Sequence, residues 1–327
     1  MESKVVQNKS AQKKSLVNSD AAQKLFAFAS LILLFIVFSI ASPNFAKFDN
    51  IVGILLATAV NGVLAVGITF VIITSGIDLS IGTVMTFSAV MTGVFITFWK
   101  LPIPVGVLGG ILVGALCGCI NGTAVAKMKI PPFIATLGMM MVTKGLSLVV
   151  SGTKPIYFTD TPMFTKISMG TVGGIPNAVL IFFAAAIIAS VMLSKTVLGR
   201  YTFALGSNEE AARLSGINVD RWKIAIYALG GTFAGLAGVM MASRLNSAQP
   251  ALGAGYEMDA IAAAVIGGTS LSGGEGSILG TVIGAFVITV LTNGLRILSV
   301  PQEWQTVVTG VIVIGAVYMD IIRRRKS

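Results

Sequence analysis

Long apolar runs alternate with short polar connections along most of the chain. A helix needs about 20 mostly apolar residues to cross roughly 30 Å of hydrocarbon, and the runs approach that length. They lie at residues 25–41, 51–74, 80–98, 103–121, 131–150, 176–193, 223–243, 257–268, 277–294 and 303–322. The pattern predicts an all-α polytopic membrane protein with about ten transmembrane helices. The run at 257–268 is short and ends in glycine, so we expect it to form a broken or re-entrant segment.

The composition agrees with a membrane protein. The chain has 327 residues, of which 55% are hydrophobic and 11% charged, whereas soluble domains carry roughly 25% charged residues. The net charge of +10 is compatible with either nucleic acid or an anionic lipid surface as a partner. The position of the positive charges along the chain favours the lipid bilayer, with no nucleic acid.

Lys and Arg residues are distributed unevenly between the two sides of the predicted membrane. Of the 23 Lys and Arg residues, sixteen fall on the side of the N-terminus and the other seven on the opposite side. Those seven are Lys47, Lys100, Lys144, Lys154, Lys166, Arg244 and Arg296. Because positive residues are enriched in cytoplasmic loops, both termini are predicted to be cytoplasmic. The domain organisation is then a basic arm at 1–24 near anionic lipid, a transmembrane domain at 25–322 and a basic tail at 323–327.

One string of residues superficially indicates an ATPase. Leu271 to Glu275 reads LSGGE, which is close to the signature loop of ATP-binding-cassette ATPases. Such an ATPase also needs a GxxxxGK[ST] loop to hold the phosphates, and no window of the sequence matches that pattern. The chain contains no His, so it lacks the commonest metal ligand and general base. We therefore predict no catalytic residues, no metal site and no cofactor bound by this chain.

The longest polar stretch, residues 194–223, is placed in the cytoplasm by the charge count. Ser207 and Asn208 can cap a short helix over 209–215, whose first turn carries Glu209 and Glu210 at the positive end of the helix dipole. Gly216 can close that helix in a left-handed conformation. The helix is either an amphipathic connector or a docking helix for a cytoplasmic partner.

Two further polar segments interrupt the apolar runs. Asp78 and Ser80 lie between two predicted spans, where they can cap the next helix or line a polar pathway or gate. Ser272 lies in a stretch with a similar arrangement of Gly and Leu-Ser, which weakly indicates related repeats. Ser272 is therefore a third candidate for the pathway or gate.

Several neutral and acidic residues near the ends of runs have two interpretations. Asn61, Asn121 and Asn293 can form hydrogen bonds between helices or bind a polar solute. Glu257 and Asp259 begin a predicted helix near the outer face. They can cap that helix or contact a partner at that face, and the sequence does not separate these alternatives.

Four stretches, together with a motif in the polar loop, resemble a known family. Glu210-Ala211-Ala212, followed after three residues by Gly216, resembles the EAA-x3-G part of the coupling loop of ATP-binding-cassette import permeases, although the later Ile-x-Leu-Pro portion is absent. Over most of the chain the sequence is similar to the ribose-type sugar permeases. The stretches that carry this similarity are VGITFVIITSGIDLSIG (66–82), PPFIATLGMMM (131–141), LGRYTFALGSNEEAARLSGINV (198–219) and SAQPALGAGYEMDAIAAAVIGGTSLSGGEGS (247–277).

The resemblance implies a fold, a function and a set of partners. It implies the type II-like architecture of ribose and branched-chain amino acid permeases, in a subunit that pairs with a second copy in the bacterial inner membrane. A separate cytoplasmic ATPase would bind ATP and Mg²⁺, and an extracytoplasmic binding protein would deliver a small sugar. D-Ribose is the first choice of sugar, with xylose or galactose as alternatives. The implied coupling residues are Asn208, Glu209, Glu210, Ala211, Ala212, Arg213 and Gly216. In such a permease Asn61, Asn121 and Asn293 could bind the hydroxyl groups of the sugar, and Glu257 and Asp259 could contact the binding protein.

An ion-coupled secondary sugar carrier is the alternative class. Such carriers place acidic or His residues within their spans to bind the coupling ion. Here the predicted spans are nearly free of charge and the acidic residues lie at their ends, which favours the ATP-driven importer.

Overall fold

The computed structural model describes residues 24–326, and the predicted basic arm at 1–24 lies almost entirely outside them. Helices dominate the structure. They are α1 (Lys24–Ala41), α2 (Phe48–Ile73), α3 (Ile81–Gly93, continued by a π-helix at Val94–Phe98), α4 (Ile103–Ala126), α5 (Pro132–Ser151), α6 (Lys166–Met169), α7 (Asn177–Lys195), α8 (Val197–Ser207), α9 (Glu209–Leu214), α10 (Val219–Leu245), α11 (Tyr256–Ile266), α12 (Ile278–Ile297) and α13 (Gln302–Lys326). The strands are β1 (Ile156–Tyr157), β2 (Thr171–Val172), β3 (Ile175–Pro176) and β4 (Ser247–Ala248).

Within the described residues, eight helices are long and apolar enough to cross a membrane by length and composition. They are α1, α2, α3 with its π-helix, α4, α5, α7, α10 and α12, and each coincides with a predicted run. The run at 257–268 forms only the 11-residue α11, in keeping with a broken segment. The last run forms α13, which extends through the predicted tail to Lys326. The count of ten crossings therefore stays a prediction.

The prediction that every element is helical is corrected in a minor way. Antiparallel pairing joins β1 to β4 and β2 to β3, with two residues in each strand. The sequence also gave no indication of α8, because its apolar residues are interspersed with Arg200, Thr202 and Gly206. Both differences lie outside the spans, where the backbone is not required to be helical by burial in lipid.

The core of the protein forms around α2. Every residue from Thr58 to Ile73 is buried, as expected for a helix that is apolar on all sides and surrounded by others. Helix α10 packs against α2, α3 and most extensively α4. The α4–α10 contact depends on glycine, because a Cβ atom at Gly114 would collide with the carbonyl oxygen of Gly231, and one at Gly118 with that of Tyr227. Small residues at such contacts let helix backbones approach closely.

Helix α10 separates two ends of the molecule. It has 27 residues, which corresponds to about 40 Å at 1.5 Å per residue. Helix α9 precedes its first residue, Val219, whereas β4 follows its last residue, Leu245, and pairs with β1. The coupling-loop elements and the segment that contains β1 therefore lie at opposite ends of the protein.

Candidate functional site

The short helix predicted in the coupling loop is present, and its caps are as expected. Helix α9 runs from Glu209 to Leu214, one residue shorter than predicted. The side-chain oxygen of Asn208 accepts a 2.9 Å hydrogen bond from the N–H group of Ala211. Gly216 has a φ of +82°, and its N–H group donates to the carbonyl oxygen of Arg213 at 3.0 Å. Local sequence chemistry thus fixes both ends of α9.

An ionic contact links α9 to the first turns of α10. Lys223 Nζ lies 2.5 Å from Glu209 Oε2, and Arg213 Nη2 lies 3.3 Å from Glu209 Oε1. Partial burial raises the pKa of Glu209, but hydrogen bonds and positive charge from Lys223 and Arg213 outweigh it, so the net pKa lies below its ordinary value. Glu209 is therefore ionised at neutral pH and attaches α9 to the central helix.

Helix α9 presents a mixed acidic and apolar face to solvent. Ala212 is buried and anchors the helix against the body of the protein. Glu210 is exposed, and Leu214 is 81% exposed. Residues four apart lie on one face of a helix, so Glu210 and Leu214 form a single surface patch. An exposed leucine beside a carboxylate, on a helix that is fixed at both ends, is well suited to insertion into a groove of a partner protein.

Three loops meet beside α9. The N–H group of Gly274 donates to the carbonyl oxygen of Ile73 at 2.9 Å, and Ser75 Oγ donates to the carbonyl oxygen of Ser272 at 2.9 Å. Gly206, in the last turn of α8, packs so closely that a Cβ atom would collide with the carbonyl oxygen of Ile73. The LSGGE string thus lies in the loop between α11 and α12, where it contacts the end of α2 and the start of the coupling region.

Asp78 and Ser80 lie together and are buried. Asp78 Oδ1 accepts hydrogen bonds from the Ser80 N–H group at 2.8 Å and from Ser80 Oγ at 2.6 Å. Asn121 Nδ2 in turn donates to Ser80 Oγ at 2.9 Å, and Thr136 Oγ1 accepts from the N–H group of Leu79 at 3.2 Å. This network joins the start of α3 to α4 and α5. The carboxylate therefore orders the turn that precedes α3, and both predicted alternatives, a helix cap and a role in a pathway, stay predictions.

The other pathway candidates do not join that network. Asn293 and Asn50 exchange two amide hydrogen bonds of 3.0 and 3.1 Å, which hold α12 against the first turn of α2. Asn61 is buried in the middle of α2 and lies beside Asp259 of α11. Its amide oxygen has no partner among the described residues. Asn293 thus helps to hold two helices together, whereas a role of any of the three asparagines in a pathway or in sugar binding stays a prediction.

Glu257 and Asp259 have different environments. Glu257 is 7% exposed, and both of its carboxylate oxygens accept from the N–H group of Gly255 at 3.1 Å. This geometry corresponds to the capping alternative. Asp259 is partly buried beside Asn61. Contacts of these two residues with a binding protein stay predictions.

Long-range contacts supply the site residues that sequence reasoning missed. Lys223 was assigned to the start of a span, and its partner Glu209 is 14 residues away. Thr136 and Gly206 carried no motif of their own. A charged residue at the edge of an apolar run, opposite an acidic helix start, is the one local signal that points to the Lys223 contact.

The comparison with known proteins identifies the family. Residues 50–317 match the family described as the permease component of the branched-chain amino acid transport system. The chain belongs to this permease family. The match covers the helices from α2 into α13 and includes α9 and the Asp78 network.

Several curated relatives of the permease are sugar importers of bacteria. The permease is 44% identical over 306 residues to the ribose import permease protein RbsC of Bacillus subtilis (strain 168), which covers 93% of this chain and 94% of the relative. It is 42% identical over 294 residues to RbsC of Escherichia coli (strain K12), covering 89% and 91%. The fructose import permease protein FrcC of Rhizobium meliloti is 38% identical over 298 residues, covering 89% and 83%. These relatives and the apolar helices show a multi-pass bacterial inner-membrane transport protein.

Proposed function

We propose that the permease is the membrane-spanning subunit of an ATP-binding-cassette importer that carries D-ribose into the bacterial cell. Identities of 42% and 44% to ribose import permeases over most of the chain support this substrate. Relatives named for fructose, xylose and L-arabinose are less similar, at 38%, 32% and 38% identity. Xylose or galactose in the same class of importer is the alternative substrate.

In this proposal, ATP and Mg²⁺ bind to a separate cytoplasmic subunit that docks on α9. The observation that carries the assignment is the exposed patch of Glu210 and Leu214 on a helix joined to α10 through Glu209 and Lys223. The partner surface should offer an apolar floor for Leu214 and basic residues for Glu210. Closure of the ATPase would push on α9, and the ionic contact would transmit that push to the central helix.

The proposal also includes the full assembly. Two copies of the permease form the pathway, each with ten crossings and both termini in the cytoplasm, and an extracytoplasmic binding protein delivers the sugar. The positive-inside distribution of Lys and Arg supports this orientation. It places α9 on the cytoplasmic side and the end of α10 with β4 on the outer side.

Uptake of radiolabelled ribose into membrane vesicles tests the proposal. Vesicles with the permease, its ATPase and its binding protein should accumulate ribose only when all three and ATP are present. Glu210→Ala and Leu214→Asp should each reduce the uptake rate at least about tenfold, the effect of losing an interface hot spot of about 1.4 kcal/mol. Leu214→Met, which keeps the apolar anchor, should remain within about twofold of the parent.

Each part of the proposal has a distinct contradicting result. Uptake by the permease alone, without ATP and abolished by an ionophore, would identify an ion-coupled carrier instead. ATP-dependent uptake of xylose or galactose in place of ribose would keep the importer class and replace the substrate. Unchanged uptake with Leu214→Asp would exclude the α9 patch as the docking surface.

A further inference from the structure

The segment between α5 and α7 is an ordered surface at the end of α10 that lies opposite α9. We call residues 152–176 the outer platform. The buried rings of Phe158 and Phe164 lie 4.1 Å apart between centroids and fix the platform to the core. Ser168 Oγ donates to the carbonyl oxygen of Met240 at 2.8 Å, which attaches α6 to α10. The exposed side chains of the platform are therefore held in defined positions.

A tight hairpin projects from the outer platform. Strands β2 and β3 are joined by Gly173 and Gly174, whose φ values are +59° and +82°. Two consecutive positive φ values are typical of the two-residue type I′ turn, which favours Gly-Gly. A Cβ atom at either glycine would meet nothing within 4 Å, so the tip stands clear of the body. Val172 and Ile175, which flank the turn, are 63% and 46% exposed.

An open groove lies beside the hairpin and has mixed polarity. Its volume is about 490 Å³. It is lined by Thr165, Lys166, Met169, Gly170, Thr171 and Asn177. Protein interfaces combine apolar anchors, with Met enriched among them, and a polar rim, and this groove with the adjacent tip has that composition. A surface that faces lipid tails would instead be uniformly apolar, because a charged group there is costly.

The outer platform carries excess positive charge. Asp160 is paired with Lys100 at 2.9 Å, and a hydrogen bond and the charge of Lys100 lower the pKa of this exposed carboxyl group. Lys154 and Lys166 are exposed and form no ion pair within the part of the chain that the structure describes. A complementary partner should therefore be acidic around its contact surface.

We propose that the outer platform is the docking surface for the extracytoplasmic sugar-binding protein. The inference rests on the proposed function, which requires such a partner on the side opposite α9. Val172 and Ile175 at the hairpin tip enter an apolar recess of the binding protein, and Met169 extends that contact along the groove. Lys154 and Lys166 face acidic side chains at the rim of the recess. Rigid anchoring of the platform limits the entropy lost on docking.

Stimulation of ATPase activity by the binding protein measures this contact. The permease and its ATPase are reconstituted together in nanodiscs and titrated with ribose-loaded binding protein. Val172→Asp and Lys166→Glu should each raise the half-maximal concentration at least about tenfold and leave basal ATPase activity unchanged. The shift for Lys166→Glu should diminish at high salt, since screening weakens exposed charges. Lys47→Glu, which makes the same charge change in the outer α1–α2 loop, should shift it less than about twofold.

A fluorophore at the hairpin tip separates a protein partner from lipid. Cys117 and Cys119 are replaced by Ala, and the label is attached to Val172→Cys. A blue shift on addition of ribose-loaded binding protein supports docking at the tip. Quenching by brominated lipid, with no response to the binding protein, overturns it and indicates that the hairpin lies in the membrane.

The failure of the docking surface differs from the failure of the proposed function. In one case the binding protein stimulates the parent complex, while Val172→Asp and Lys166→Glu give the same half-maximal concentration as the parent. That result overturns the docking surface alone. In the other case the parent permease fails to bind the ATPase subunit, or no sugar-loaded binding protein stimulates the complex. Either result contradicts the proposed function and this inference with it.

Discussion

Asp78 is deeply buried and accepts local hydrogen bonds. A structural role as a cap and a functional role in a pathway differ in whether they require its negative charge. Its Oδ1 atom accepts from the N–H group and the side chain of Ser80, and an amide oxygen can accept the same two bonds. A cap therefore needs an acceptor but no charge. A pathway or gate that uses the carboxylate needs the charge itself.

Two substitutions at Asp78 separate these roles. Asp78→Ala should destabilise the permease by about 1–3 kcal/mol, because it leaves the buried Ser80 N–H and hydroxyl groups without their acceptor. Asp78→Asn should retain most of the stability. Thermal unfolding in nanodiscs measures both effects, and uptake of labelled ribose measures function. If Asp78 only caps α3, Asp78→Asn should transport at nearly the parental rate.

The results for the two variants separate a capping role of Asp78 from a role of its charge in the pathway. A stable Asp78→Asn permease without uptake would assign the charge to the pathway. An Asp78→Ala permease that unfolds at the parental temperature would contradict the capping role. Asn61→Asp would not serve as a control, since it places a second carboxyl group beside Asp259. Asn293→Asp on α12, where Asn293 is half-buried against the first turn of α2, is the better comparison for a change of charge.

The order of the helices follows from the sequence, because a segment in lipid must satisfy its own backbone hydrogen bonds and must be apolar over a fixed length. The caps of α9 are equally local, since Asn208 and Gly216 act within a few residues. Strand β1 is different: its partner β4 is about 90 residues away, and Ile156 meets Ala248 only after α10 is packed. The Lys223 contact is missed for the same reason. Pairing partners depend on the assembled fold.

The connection between α9 and α10 leads to a prediction about pH. The pKa of Glu209 lies below its ordinary value, so the pair stabilises the permease above that ordinary value, about 4.3. This contribution is lost as pH falls through the lower, folded-state pKa. Both side chains are partly exposed, so the pair should contribute only about 1 kcal/mol or less.

Glu209→Gln tests this contribution. At pH 7 the variant should unfold at a slightly lower temperature than the parent. The difference should shrink as the pH falls below the ordinary pKa of about 4.3 and disappear below the lower, folded-state pKa of Glu209. Glu210→Gln is the matched control, since Glu210 is exposed and lies outside the Lys223 contact. A difference that persists at acidic pH would contradict the ionic origin. ATP hydrolysis could also be coupled more weakly to uptake in Glu209→Gln than in another variant of equal thermal stability. That result would show that the contact also transmits the motion of the ATPase to α10.

The assembled molecule leaves the spanning helix α5 with little cover. Of the 18 residues in the most apolar part of α5, 17% are buried, compared with 72% for the corresponding part of α2. Lys144 is exposed on α5, about 18 Å from the start of the helix and about 10 Å from its end. A Cβ atom at Gly138 or Gly145 would meet nothing within 4 Å. Because an ammonium group that faces hydrocarbon is costly, this face of α5 should look toward a second copy or a water-filled path, not toward lipid.

A cysteine cross-link tests that orientation. In a permease with Cys117→Ala and Cys119→Ala, Gly145→Cys should form a disulfide-linked dimer on mild oxidation, since two α5 helices that face each other bring their glycines close. Ile187 on α7 is 63% exposed. The Ile187→Cys permease should remain monomeric on a denaturing gel, which controls for random collisions in the membrane. Equal cross-linking at both positions would remove the support for a specific α5 interface. Cross-linking at Ile187 alone would place the second copy against α7 and leave Lys144 to be explained by a path within one subunit.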